Sequence, residues 1–331
     1  MPSSPNHTAT PFTRRRWLTL AAFAALAKPG MVLAQGAFPT QPIRIIVPFG
    51  AGGLADITIR LVGQALSEKL GQAVIIDNKP GAGGIPAARA TLLAPRDGHT
   101  LILFVNGTAI SKTLFKTDFD PETDFTPISS MAYFDLLLLT AKGSAIGDVT
   151  QLLAESHKRS LNIGTINPGS TQNLSAELFK SVTKLDANLI PYKSTPEVVT
   201  ALLRGDLDVV FESYTAVKGQ IDAGNIRPIA CTGPARTPWL PNVPTVRESG
   251  VADYEVTGWN ALYAPAGVPA GVLQTLNKAM QETMQMPDIR KRILELGSEP
   301  RSSTPQEMAA VFNRDYRKWA QVIQRAGLKV Q

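Results

Sequence analysis

Two short segments of this chain place glycines and neutral polar side chains where a helix would begin. The first is Phe49-Gly50-Ala51-Gly52-Gly53-Leu54-Ala55-Asp56. Its glycines let the backbone approach a ligand, and the first-turn N–H groups of a following helix attract an anion. The same residues satisfy G-x-G-x-x-A, and Asp77 ends the next strand-like run, so a dinucleotide turn stands as one alternative. A turn whose glycines serve packing alone is another. Against the dinucleotide reading, Pro48 and Phe49 crowd the turn, and Asp56 would set a carboxylate beside a pyrophosphate. The second segment is Asn167-Pro168-Gly169-Ser170-Thr171-Gln172-Asn173. Its hydroxyls and amides suit a carboxylate at a helix N-terminus, although Ser170 also reads as a plain N-cap. Asn106-Gly107-Thr108 and Phe211-Glu212-Ser213 follow two further strand-like runs. All four clusters fall at the carboxyl ends of predicted strands, the edge at which open α/β sheets bind ligands.

Other chemistries find little material. There is no G-x-S-x-G, H-E-x-x-H or C-x-x-C in the chain. A single cysteine, Cys231, excludes a disulfide framework and a cysteine-rich metal site, and is expected to be buried and inert. Of the three histidines, His99 lies in an Arg-Asp-Gly-His turn and His157 in a charged helix end, and both read as solvated surface residues rather than general bases. Neither a catalytic residue, nor a metal, nor a cofactor is expected. The net charge of +6 over 331 residues looks basic. It falls to +2 once Arg14, Arg15, Arg16 and Lys28 are set aside. That removes the case for nucleic-acid binding.

The elements that must position these clusters alternate strand and helix. Ile43–Val47 is a continuous β-branched apolar run, as a buried parallel strand requires. A helix follows with Ile57, Leu61, Ala65, Leu66 and Leu70 on one face, closed by Gly71. Strand 73–77, a Pro-Gly loop, a short helix over 86–94 and strand 100–105 complete a βαβαβ pattern with right-handed crossovers. Two strands, 128–132 and 136–140, then come without a long helix between them, which predicts a crossover into a second lobe. Alternation restarts with helices over 148–159, 170–183, 196–204 and 214–223 and strands over 161–165, 188–191, 207–211 and 227–232. Asp148, Ser170 and Thr195 are the expected caps. A proline-rich loop over 233–250 leads to a returning strand at 259–264 and helices over 268–285, 287–296 and 304–326. The last opens with Thr304-Pro305-Gln306-Glu307, a capping box with proline at N1. Its stripe of Met308, Val311, Phe312, Tyr316, Trp319 and Ile323 predicts a seam facing the core.

The first 34 residues have the anatomy of an export signal. A basic block, Arg14-Arg15-Arg16, precedes an apolar run from Leu18 to Ala27 and small residues before Gln35. The run is about half the length a membrane span needs. Paired arginines followed by an aromatic and a leucine also resemble the twin-arginine signal. A cleaved leader and a periplasmic mature protein are expected, by either route.

The chain resembles the Bug-type extracytoplasmic solute receptors of tripartite tricarboxylate transporters over essentially all of residues 36–330. The resemblance is carried by PIRIIVPFGAGGLAD (42–56), LGQAVIIDNKPGAGG (70–84), APRDGHTL (94–101), TQNLSAELFK (171–180), IPYKSTPEVVTALLRGDLDVVF (190–211), GNIRPIACTG and VPTVRESG (within 224–250), and GWNALYAPAGVP (258–269). It implies a type II-like periplasmic binding protein, α/β, with two lobes. Each lobe would be a mostly parallel sheet flanked by helices, joined by crossover strands. Lobe one would hold 35–135 and 241–331, and lobe two 136–240. It also implies a small carboxylated solute held by backbone amides, hydroxyls and ordered water. On this chain the matching positions are Phe49, Ala51, Gly52, Gly53 and Asp56 in lobe one and Gly169, Ser170 and Thr171 in lobe two, with Asn106, Gly107, Thr108 and Phe211, Glu212, Ser213 from two further loops. Asn173 stands where the family usually has His, and Glu212 where it often has Asp. The loop 164–169 lacks the usual Ser-Gly-Gly character. The expected partners are the solute and membrane permease subunits, with a monomeric receptor. A ligand-sensing orphan binding protein and an exported nicotinamide-dependent oxidoreductase are the competing classes.

Overall fold

The computed structural model describes residues 38–109 and 111–326, together with Met1, Ser3 and Ser4. The basic block and apolar run of the expected export signal lie outside the described residues. So does Gly327, at the end of the last helix.

The first half is built as the β-branched runs predict. Strands β1 (Ile43–Val47), β2 (Val74–Asn78) and β3 (Thr100–Val105) are parallel in the order β2-β1-β3. Helix α1 (Leu54–Leu70) crosses from β1 to β2 and ends on Gly71 in the left-handed conformation, as its sequence requires. Helix α2 (Ile85–Leu92) crosses from β2 to β3. Two four-residue helices follow β3, α3 (Asn106–Ala109) and α4 (Ser111–Leu114).

The two strands expected over 128–140 are one. Strand β4 (Phe125–Ala141) runs unbroken through both halves of the molecule. Its first part pairs antiparallel with β9 (Thr257–Pro265), which itself lies beside β3. Its last part pairs with β7 (Val209–Ser213) on one side and β8 (Ile226–Cys231) on the other. The expected gap, 133–135, ends in the polar Asp135. It sits where the strand changes partners, paired with Thr257 while the next residue, Leu136, pairs with Ser213. β10 (Glu299–Pro300) adds to the outer edge of β4.

The second half has β5 (Leu161–Ile166), β6 (Ala187–Tyr192) and β7 parallel, giving the overall order β2-β1-β3-β9-β4-β7-β5-β6. Helices α5 (Val149–Ser156), α6 (Thr171–Thr183), α7 (Thr195–Arg204) and α8 (Tyr214–Asp222) make its connections. Asp148 caps α5 by accepting from the Gln151 N–H at 2.7 Å. Thr195 is not a cap. Ser194 occupies that position, and the Thr195 hydroxyl is directed to Glu212 instead.

The chain passes from one sheet to the other at Leu136 and returns over residues 232–256, and Thr232 ties the two crossings together. Its hydroxyl accepts from the Leu136 N–H at 2.8 Å and donates to the Val256 carbonyl at 2.7 Å. Helices α9 (Ala270–Gln285), α10 (Pro287–Glu295) and α11 (Pro305–Ala326) complete the fold. The capping box of α11 forms in both directions. The Thr304 N–H donates to Glu307 at 2.8 Å, and the Glu307 N–H to Thr304 at 3.2 Å. The apolar stripe of α11 faces the core, with Met308, Phe312, Trp319 and Ile323 buried.

Candidate functional site

Helix α1 starts at the carboxyl end of β1 with no side chain capping it. Its first-turn N–H groups have no intrahelical acceptor by construction, and they open on a cavity bounded by Gly53, Leu54, Ala55 and Asp56. Gly52, at φ +90°, makes the turn that aims the helix end there. Across the cavity stand Thr171 and Gln172 from the start of α6, and Ser194 and Thr195 from the start of α7. Phe49, Leu54, Val105, Phe134 and Ile166 form apolar walls, and Asn260 of β9 completes the lining. Among the described residues no lysine, arginine or histidine lines this cavity.

Asp56 is the one acid in the lining, and its charge is spent locally. Its carboxylate accepts from Arg60 Nε at 3.0 Å, Asn78 Nδ2 at 2.9 Å and the Gly52 N–H at 3.1 Å. Burial works to raise its pKa, but these bonds and the Arg60 charge outweigh burial and hold it below the ordinary carboxylate range. Asp56 therefore braces the loop.

Glu212 lies behind the opposite wall, fully buried. It accepts from Gln172 Nε2 at 3.0 Å and the Ser213 N–H at 2.7 Å on one oxygen, and from the Thr195 hydroxyl at 2.8 Å on the other. Burial pushes its pKa up in spite of these donors. The carboxylate fixes two cavity side chains, Gln172 and Thr195, from the rear.

Loops that follow β2, β3 and β5 meet beside this cavity. The Gly83 N–H donates to the Pro168 carbonyl at 2.9 Å, and the Thr171 hydroxyl bonds Asn106 Oδ1. A Cβ on Gly107 would lie 1.8 Å from the Gly169 carbonyl oxygen, so the two loops touch backbone to backbone. The cavity is small, about 20 Å³.

The sequence-predicted residues divide accordingly. Phe49, Gly53, Asp56 and Thr171 line the cavity. Asn106, Gly107 and Gly169 form the seam beside it. Ser170 is the N-cap of α6, accepting from the Asn173 N–H at 3.1 Å, while Asn173 Oδ1 accepts from the Gly169 N–H at 2.9 Å. Thr108 accepts from the Val105 N–H at 3.2 Å. Phe211 packs in the core against Phe179, and Ser213 bonds Glu212. Ala51 and Gly52 are exposed on the loop. Gln172 of the second polar segment also lines the cavity, whereas Ser194, Thr195, Phe134 and Asn260 were not picked out as site residues. For Asn260 a signal existed: it is the one amide within an otherwise apolar strand run, GWNALYAP.

Two secondary expectations also resolve. His157 is exposed as predicted, but His99 is not a solvated residue. Its side chain is 11% exposed, its ring packs on Phe38 at 4.8 Å, and Nε2 accepts from the Thr40 N–H. It fastens the segment that leads into β1. Asp77, the acid a dinucleotide ribose would need, is instead paired with Lys79 at 3.4 Å and Arg44 at 3.8 Å.

Residues 58–328 match the model of the tripartite tricarboxylate transporter family receptor, TctC. The chain belongs to this receptor family. It is 29% identical over 314 residues to Protein BugT of Bordetella pertussis, covering 93% of this chain and 96% of that one. Among solved structures it is similar to R. palustris Rpa4515 with adipate, at 33% identity and a TM-score of 0.84, covering 88% of this chain and 98% of that one. It is also similar to MatC from Rhodopseudomonas palustris with bound malate, at 30% identity and a TM-score of 0.82, covering 86% and 100%. The mixed α/β fold, a sheet flanked by helices, is thus shared with these structures. No helix among the described residues is long and apolar enough to cross a membrane.

Proposed function

We propose that this receptor captures a small carboxylate in the cavity between its halves and presents it to the membrane permease of a tripartite transporter. It acts by binding, with no chemical step. The observation that carries this reading is the uncapped N-terminus of α1 facing a cavity with neutral donors and no cationic side chain in its lining. Helix-end amides and hydroxyls suit one carboxylate, whereas a polyanion would call for several arginines. Apolar walls of Phe49, Phe134 and Ile166 fit the body of the solute. The two similar structures, one with adipate and one with bound malate, support the ligand class.

Lobe one comprises 35–135 and 241–331, and lobe two 136–240. The solute enters between them and closure completes its contacts. The receptor is a periplasmic monomer, exported by the leader ending at Ala34. Mass spectrometry of small molecules released by denaturing the freshly purified periplasmic protein tests the ligand class. A carboxylate in stoichiometric amount is the expected result; a reduced-nicotinamide absorbance band in the folded protein overturns it. Intact Met1 on the periplasmic protein would overturn the cleaved leader.

A further inference from the structure

Asn260 has no accessible surface, lines the cavity, and neither its Nδ2 nor its Oδ1 has a hydrogen-bond partner. Exchanging the two ends of the amide changes nothing, since both lack partners. Such a group is costly to bury and calls for an occupant that satisfies it. A second amide has the same need. Asn106 is fully buried, its Oδ1 is bonded by cavity-lining Thr171, and its Nδ2 is unpartnered. The two are close in the fold: Asn260 of β9 pairs with Val105, the last residue of β3, and Asn106 follows it at the start of α3.

Two donor atoms and one acceptor are thus left over. A hydroxyl is the small group that answers all three, accepting on two lone pairs and donating one proton. An ionised second carboxylate offers acceptors only and would set its charge against Asn260 Oδ1. A bare methylene answers none of them. Resting on the carboxylate reading above, we infer that the solute is a hydroxycarboxylate, its carboxylate at the start of α1 and its hydroxyl held by Asn260 and Asn106.

The test is calorimetric titration of the purified mature protein, freed of solute by unfolding and refolding, with matched pairs: malate and succinate, 2-hydroxyglutarate and glutarate, lactate and propionate. In at least one pair the hydroxy member is expected to bind about tenfold or more tightly than its deoxy partner. Asn260→Leu, which keeps the side-chain volume and removes both polar ends, is expected to bring that ratio within about threefold. Asn106→Leu is a second, independent variant. If carboxylates bind but no pair shows a hydroxyl preference, or the preference survives in both variants, the inference falls and the carboxylate reading stands. If no member of any pair binds, the carboxylate reading falls and this inference with it.

Discussion

Glu212 shows how a buried charge can serve binding without meeting the solute. Four donors converge on its carboxylate, and two of them, from Gln172 and Thr195, belong to the cavity wall. Glu212→Gln keeps the volume and one carbonyl oxygen. Its oxygen can face Gln172 and Ser213 while its amide turns to Thr195, whose hydroxyl then accepts. Solute affinity is expected to stay within about threefold of the parent, or about 0.6 kcal/mol. Glu212→Ala leaves all the donors stranded at a cost of about 1–3 kcal/mol each and frees both wall side chains. It is expected to lower the melting temperature and to weaken solute binding by about tenfold or more. Thermal melts and calorimetry on both variants separate the two outcomes; equal loss in both would mean that charge, not positioning, is what Glu212 supplies. The histidines make a contrast at the same scale. His157→Gln should leave affinity unchanged, and His99→Gln should lower stability by loosening the Phe38–Thr40 segment without changing affinity.

Strand β4 is the element on which both halves depend, and Asp135 marks its change of partners. Its carboxylate accepts from the Thr257 hydroxyl at 2.8 Å and lies against Gly233, where a Cβ would come within 2.0 Å of it. Burial pushes its pKa from 3.8 up to about 6, against the Thr257 bond and aided by the charge of Glu255. Between those values the folded chain keeps a proton that the unfolded chain has released. Stability from this group is therefore full below about pH 4 and is lost as pH rises through about 6, a loss of at most about 3 kcal/mol. Asp135→Asn should gain stability at pH 7 and flatten the dependence of the melting temperature between pH 4 and 6. Melts of both proteins across that range check it, and parallel curves would refute it. The same strand marks where the sequence stops being readable. Local signals located α1, its Gly-rich start, its Gly71 stop and the α11 capping box, because each is written in neighbouring residues. They did not reveal that 128–132 and 136–140 are one strand, since continuity there comes from pairing with β9, β7 and β8, far away in sequence. The cavity divides in the same way. Phe49, Gly53 and Thr171 were legible beside their glycine and proline turns. Thr195, Phe134 and Asn260 reach the cavity only through sheet order and closure.

Closure of the whole molecule turns on how closely two loops can approach. Gly107 follows β3 and Gly169 follows β5, and a Cβ on Gly107 would stand 1.8 Å from the Gly169 carbonyl oxygen. That oxygen is part of the main chain, so it cannot swing aside as a side chain would. Gly107→Ala therefore excludes the closed seam, while no cavity-lining side chain is altered. Gly107 has no positive φ, so alanine meets no conformational penalty in the open form. Apparent affinity scales with the fraction of molecules able to close, and each 1.4 kcal/mol set against closure costs about tenfold. Gly107→Ala is expected to weaken solute binding by tenfold or more and to abolish the compaction that solute produces in small-angle scattering. Gly143→Ala is the control, since a Cβ there meets nothing within 4 Å. The melting temperature without solute should be nearly unchanged in both, because neither substitution touches the core of a lobe. If Gly107→Ala binds and compacts like the parent protein, the seam closes by another route, and the site is complete without contact between these two loops.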